Sequence, residues 1–355
     1  MSLEDYGFSD DMRIYIEENG LGAYEPGRVL AEHKERYIVV TENGEYEAEI
    51  TGNMRFGAES REDFPAVGDW VAAMVYEPDT AIIHHILPRY SLIRRRAAGH
   101  AGEFQVIAAN IDYAFLVQAA DRDFNINRLE RYLTICSSAG VSPVITLSKI
   151  DLISRSRLDE ILGSIQSRIA GIPVVAVSNQ TIEGIDSILS MIEKGRTYCL
   201  LGSSGVGKSS LINNLAGRSR MSTDAVSTST GKGRHVTTHR EMILLEGGGI
   251  LIDNPGMREV GITDDSGGLE STFGQIAQLS ALCRFQDCSH TSEPECAVLK
   301  ALNEGTLDRG YYENYMKMEK ERMHYVTSSA EKKKKERVFG KILKDYKKNF
   351  SKSGR

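Results

Sequence analysis

Nowhere in the 355-residue chain does an apolar run reach the ~18 residues that a membrane-spanning helix needs, so no membrane span is expected. The opening stretch, "MSLEDYGFSDDMRIYIEENG", is acidic and has no basic-then-apolar leader, so a cytoplasmic location is expected. Cysteine is scarce: there are five in all, an odd number, and three of them crowd between 283 and 296. Without a secretory leader, that clustering suggests metal binding rather than a disulfide framework. No long internal repeat is visible. What is present is ordinary for a soluble globular protein, 41% hydrophobic and 26% charged residues. The length suits about two or three domains.

Charge is unevenly spread. Residues 331–355 carry 11 Lys+Arg against 3 Asp+Glu, so the net −6 divides into +8 on this tail and −14 on the remainder. A basic tail on an acidic body suggests a polyanionic partner; solvated disorder is the competing reading.

Texture changes along the chain. From 25 to 92 it alternates apolar and polar residues, as in "GRVLAEHKERYIVVTENGEYEAEI", with a turn expected at Asn43-Gly44. "FPAVGDWVAAMVY" and "TAIIHHILPR" supply further short strands, and the set suits a small barrel such as an OB-fold. Arg94, Arg95 and Arg96 form its one dense positive cluster. From about 105 to 260, strand candidates ("YAFLVQAA", "SPVITLS", "IPVVAVS", "TYCLLG", "EMILLE", "GILIDNP") are interleaved with amphipathic stretches such as "INRLERYLTICSSAG" and "GIDSILSMIEKG". This predicts a mostly parallel sheet with helices on both faces. A helical segment containing Cys and His follows to about 330.

"GSSGVGKSS", residues 202–210, satisfies the phosphate-loop pattern with Gly202, Gly207, Lys208 and Ser209. It follows an apolar strand and opens a helix, which argues against a chance glycine turn. Backbone amides of Gly202, Ser203, Ser204, Gly205, Val206, Gly207 and Ser210 are expected around the phosphates. Lys208 would reach the β and γ phosphates, and the Ser209 hydroxyl would ligate Mg²⁺. Asp253 ends the strand "GILID" and suits a magnesium position, with the Gly256 amide near the γ phosphate. The polar loop "GKGRHVTTHR" offers Thr237 and Thr238, of which Thr238 is assigned to magnesium and catalysis. "SKID" supplies Ser148, Lys149 and Asp151 as a guanine-reading turn, and "VSNQ" adds Ser178 and Asn179, whose backbone suits the guanine oxygen. These elements make a GTP site in the order base, base, phosphate, switch, switch, which is a circular permutation.

"CRFQDCSHTSEPEC" brings Cys283, Cys288, His290 and Cys296 within 14 positions. Three thiolates and an imidazole are the donor set of a closed, structural Zn²⁺ site, one per chain. Buried, inert cysteines are the alternative.

Taken together, "PAVGDWV", "ILPR", "GRHVTTHRE", "DNPGMRE" and "CRFQDCSHTSEPECAV" resemble the ribosome-small-subunit-dependent GTPase A family (RsgA, also called YjeQ), over about 27–320. The resemblance implies an RNA-binding OB-fold, an α/β P-loop GTPase with permuted motif order and a mostly helical zinc-binding domain. The multidomain chain is expected to divide into a lead segment (1–24), the OB-fold (25–96), the GTPase (97–262), the zinc-binding domain (263–330) and the lysine-rich tail (331–355). The resemblance also implies GTP hydrolysis to GDP stimulated by the small (30S) ribosomal subunit, a role in late maturation of that subunit, and contact with its rRNA. A monomer with no membrane partner is expected. His235 is implicated in catalysis by the resemblance. Three features depart from the family pattern: Ser148 stands where Asn is usual, Val236 replaces the first of three threonines, and the tail is longer and richer in lysine. Met257 follows Gly256 where many GTPases place a water-orienting Gln. A GTP-dependent RNA or protein tether with incidental hydrolysis is the competing reading of function.

Overall fold

The computed structural model describes residues 2–33, 35–96, 104–121, 123–217, 240–253 and 267–323. Among these, eleven strands form one continuous hydrogen-bonded array. Its first part is a closed barrel of β1 (Glu25–His33), β2 (Arg36–Thr41), β3 (Gly44–Ile50), β4 (Trp70–Glu77) and β5 (Thr80–Ile86), in the order β1-β2-β3-β5-β4 with β4 returning to β1. β3 and β5 pair in parallel and the other neighbours are antiparallel. The alternation of the sequence explains the closure. Val29, Tyr37, Val39, Tyr46, Ala48, Val71, Ala73, Ala81 and Ile83 all point inward and form one core. The β2–β3 loop is Glu42–Asn43, one residue earlier than the turn expected at Asn43-Gly44. Asn43 is held in the loop by its amide, which donates to Glu25 (3.0 Å), and by its N–H, which donates to Thr41 Oγ1 (3.1 Å).

The lead segment is part of the fold. Leu3, Tyr6, Phe8, Met12 and Ile16, the last two on α1 (Asp10–Glu18), pack with Leu21 against Val40, Trp70 and Leu87 of the barrel region. A second unanticipated element is the hairpin β6 (Leu92–Arg96) and β7 (Phe104–Ala109). Three consecutive arginines hide the strand periodicity of β6. Arg94 pairs with Glu62 at 3.1 Å, which removes one member of the positive cluster from free display.

The second part of the array has strand order β10-β9-β8-β11-β13-β12. Its members are β8 (Tyr113–Ala119), β9 (Ser142–Ser148), β10 (Val174–Ala176), β11 (Thr197–Leu201), β12 (Arg240–Leu244) and β13 (Ile250–Asp253). The first five in spatial order are parallel and β12 is antiparallel at the end. Period-two burial sorts the side chains onto two faces. Ala114, Leu116, Cys199 and Leu201 meet α3 (Ile126–Ala139) and α4 (Arg155–Arg168). Phe115, Val117, Tyr198 and Leu200 meet α5 (Ile185–Leu189) and α6 (Lys208–Gly217). α5 is shorter than the stretch "GIDSILSMIEKG" suggests. The Tyr198 hydroxyl donates to Met191 O (3.0 Å) and accepts from Glu193 N (2.8 Å), which draws the chain out of the helix.

Two junctions fix the parts together. β1 pairs with β12 through Ala31 opposite Glu241 and Glu32 opposite Arg240, so the barrel and the α/β sheet share backbone hydrogen bonds. Beside this seam, the fully buried Arg28 guanidinium donates to Gly68 O, Tyr6 O, Asn110 O (3.1 Å) and Thr197 Oγ1 (2.8 Å). It links the barrel and the lead segment to the first residue of β11. The helices Gly268–Thr272, Gly274–Ser280, Ala297–Asn303 and 309–323 dock on the α3 side. There the buried Glu130 carboxylate accepts from Arg168 (2.8 and 2.9 Å) and from Asn314 (2.5 Å). Burial raises the Glu130 pKa, and the Arg168 charge opposes that rise.

Candidate functional site

The order of the strands locates the site. The chain runs outward through β8, β9 and β10, then returns to place β11 on the other side of β8. The crevice at the carboxyl ends of β8 and β11 is therefore the switch point where α/β sheets hold ligands. The loop 202–207 starts there, at the end of β11. Its first residue lies so close to β8 that a Cβ on Gly202 would sit 2.3 Å from Val117 O, which only glycine avoids. Lys208, the first residue of α6, folds its ammonium into the loop and donates to Gly202 O and Ser203 O, both at 2.6 Å. Ser209 and Ser210 follow on the exposed start of the same helix.

The base-side residues gather at the same edge. Ser148 ends β9, buried, and its hydroxyl donates to Val206 O at 2.6 Å. Lys149 adopts a left-handed φ of 61°, a conformation that a side-chain-bearing residue holds only when its surroundings fix it. Its ammonium lies 3.7 Å from Asp121, just past β8. The bend exposes Asp151 on a short 3₁₀ turn, Ile150–Leu152. After β10, the Ser178 N–H donates to Glu183 O (2.9 Å), and its hydroxyl accepts from Gln180 N and Thr181 N. Ser178 thus shapes the loop that carries Asn179, whose side chain donates to Gly207 O at 3.0 Å. Asp253 ends β13, the other neighbour of β11, and burial raises its carboxyl pKa above the ordinary value. His235, Thr237, Thr238 and Gly256, with Val236 and Met257, lie outside the described residues, as does the tail 331–355.

The second cluster is separate from the first. Cys283, Cys288, His290 and Cys296 bring one ligand atom each within 4.8 Å of one another, and this set can hold a metal ion. Cys283 Sγ is 3.8 Å from Cys296 Sγ, and His290 Nδ1 is 3.7 and 3.4 Å from those two sulfurs. A tetrahedral ion with metal–sulfur bonds of ~2.3 Å sets neighbouring sulfurs ~3.8 Å apart, so the cage has the right size. The tautomer follows from the other ring nitrogen. His290 Nε2 meets Ser280 Oγ at 2.9 Å, and that hydroxyl gives its proton to Ile276 O (2.8 Å). Nε2 must then carry the proton, and Nδ1 turns its lone pair toward the sulfurs. Glu293 ties the intervening loop together by accepting from the Ser289 hydroxyl and from the amides of Ser289, Thr291 and Ser292. Those bonds hold its pKa down at about 2.

Sequence reading had no signal for Ser280 or Arg28, because each is a lone polar residue in a helix or strand that gains its partners only in the fold. For Ser280 the expected result is specific. Ser280→Ala should lower metal affinity roughly 10- to 100-fold, measured by competition with a chromophoric chelator, while Ser280→Thr should retain it. Unchanged affinity in the alanine variant would remove Ser280 from the support of the cluster.

The RsgA GTPase family model matches residues 86–263. A relative from Bacteroides thetaiotaomicron, named small ribosomal subunit biogenesis GTPase RsgA 1, is 40% identical over 348 residues, covering 98% of this chain and 97% of its own length. The chain belongs to the RsgA GTPase family. It is accordingly a GTP hydrolase. A family member from Oceanobacillus iheyensis, with the same name, is 44% identical over 296 residues, or 83% of this chain and 84% of that one. Two solved structures share the fold, each 25% identical with a TM-score of 0.61. YjeQ from Thermotoga maritima aligns over 84% of this chain and 98% of its own. YloQ, described as a circularly permuted GTPase, aligns over 85% and 96%. The permuted order read from the motifs matches that description.

Proposed function

We propose that this chain binds GTP at the β8/β11 edge and uses its hydrolysis in late maturation of the small ribosomal subunit. The observation that carries the reading is the convergence of "SKID", "VSNQ" and "GSSGVGKSS" on one switch point in an RsgA family chain whose relatives are named for small-subunit biogenesis. In this reading the amides of residues 202–210 cradle the phosphates, and Lys208 swings from its carbonyl partners to the β and γ oxygens. Asp151 accepts from the guanine N1 and exocyclic amine, and Lys149 lies along the base. Ser209, Thr238 and Asp253 hold Mg²⁺, which neutralises charge on the phosphates when bound. The Gly256 amide would serve the γ phosphate, and His235 would act in catalysis. The Cys283, Cys288, His290 and Cys296 cage fits a structural zinc, because all four positions come from the protein. The barrel and the zinc-binding region present surfaces to rRNA, and the protein works as a cytoplasmic monomer.

One experiment tests the base site and the partner together. The wild-type chain should co-sediment with purified small subunits in the presence of a non-hydrolysable GTP analogue and not an ATP analogue. Asp151→Asn should lose that response to guanine and gain it with the xanthine nucleotide, because its amide pairs with the xanthine edge. Equal co-sedimentation with the adenine analogue would refute the guanine assignment. Absence of co-sedimentation with any nucleotide would refute the partner.

A further inference from the structure

The loop between β11 and α6 is held from the base side at two adjacent carbonyls. Ser148 donates to Val206 O (2.6 Å), and the Asn179 side chain donates to Gly207 O (3.0 Å). The family usually has Asn at position 148, and the shorter serine reaches only the first of these carbonyls. The orientation of the Asn179 amide is fixed by a third residue. Asn214, on α6, donates to Asn179 Oδ1 and to Asn179 O, both at 3.2 Å. With Oδ1 so engaged, Nδ2 must face Gly207. Gly207 itself has φ +91°, and a Cβ there would lie 2.7 Å from Asn179 Nδ2, so glycine is what lets the amide approach.

We propose that Asn179 is a positioning residue of the phosphate loop. Braced by Asn214, it works with Ser148 to couple the base-reading loops to the geometry of the phosphate site. The proposal rests on the reading of residues 202–210 as the phosphate loop. Losing the Nδ2 donor leaves the part-buried Gly207 carbonyl with its Leu211 N–H partner alone (2.9 Å) and cuts the tie between the base-side loop and the phosphate loop. The phosphate contacts should weaken while guanine selection through Asp151 stays.

The test measures GDP and GMP affinity by fluorescence titration for the wild-type chain, Asn179→Ala, Asn179→Asp, Asn214→Ala and the Asn179→Ala/Asn214→Ala pair. Asn179→Ala should weaken GDP about 10-fold and GMP much less, since GMP has no β phosphate for this loop to hold. Asn179→Asp keeps the size and the acceptor for Asn214 but turns a carboxylate toward Gly207 O, so it should bind GDP at least as poorly. Asn214→Ala should resemble Asn179→Ala, and the pair should be no worse than either alone, because both act on one contact. An Asn179→Asp chain with wild-type GDP affinity, an additive double variant, or equal losses for GDP and GMP would overturn the proposal. A wild-type chain that bound no guanine nucleotide would instead overturn the phosphate-loop reading beneath it.

Discussion

Small ribosomal subunits are expected to raise GTP turnover by this chain roughly 10³- to 10⁵-fold, the range that supplying a missing catalytic group in trans gives other GTPases. The motive is in the sequence. Met257 follows Gly256, and a thioether cannot orient a water molecule for in-line attack. Binding groups are plentiful at the β8/β11 edge, so the isolated chain should bind GTP and hydrolyse it slowly. The fold gives the subunit a route to the chemistry. β12, the strand that follows the segment with His235, Thr237 and Thr238, pairs directly with β1 of the barrel. A partner seated on the barrel therefore acts on the strand at the exit of that segment. His235→Ala should spare GTP binding and abolish most of the stimulated turnover. Multiple-turnover phosphate release with and without subunits decides the matter. Full stimulation in His235→Ala would move the activating group elsewhere, and no stimulation of the wild-type chain at any salt concentration would sink the assembly role.

The elements legible in the sequence were those in which one short segment carries its own pattern. Alternation located β1 to β5, and short apolar runs between helical stretches located β8 to β13. The motif residues of the nucleotide edge were legible for the same reason: Gly202 to Ser209 is contiguous, and "SKID" ends a strand. The cysteine cluster spans only 14 positions. What escaped depends on partners far along the chain. Leu3, Tyr6 and Phe8 lie among acidic residues with no helical period, and their burial comes from Trp70 and Leu87. Arg28 in an alternating strand reads as solvent-facing, yet it is 1% exposed because four distant segments supply its acceptors. Ser148, noted only as standing where Asn is usual, makes a bond to the phosphate loop at 2.6 Å, and a residue 31 positions later makes a second. The serine therefore keeps the end of β9 tied to residue 206.

Removing the metal should unfold the region of the Cys283, Cys288, His290 and Cys296 cage and leave the nucleotide edge intact. The local core is small. It consists chiefly of Leu269, Phe273, Ile276, Val298, Ala301, Leu307, Tyr311 and Met318, and it includes Cys296 itself. The helices that frame the cage are short, seven residues each for Gly274–Ser280 and Ala297–Asn303, and cannot persist alone. Apparent binding energies of structural zinc reach about 10–16 kcal/mol in small domains, more than such a core supplies, so the metal is expected to decide whether this region folds. Chelation, or Cys296→Ser, should abolish hydrogen-exchange protection across 274–303. Protection of β8, β9 and β11 should remain, because their two apolar faces are closed by α3 to α6. The helix 309–323 should loosen only in part, since Asn314 on Glu130 and Glu321 on Arg131 anchor it to α3. GTP affinity should change less than about twofold, well below the tenfold that 1.4 kcal/mol would give. Subunit stimulation should be lost. Metal analysis should find about one zinc per chain before chelation. If the stripped chain kept full protection over 274–303, the cage would be a set of inert buried thiols. If protection of β8 and β11 fell together with it, the region of the cage would be part of the GTPase core and not a unit docked upon it.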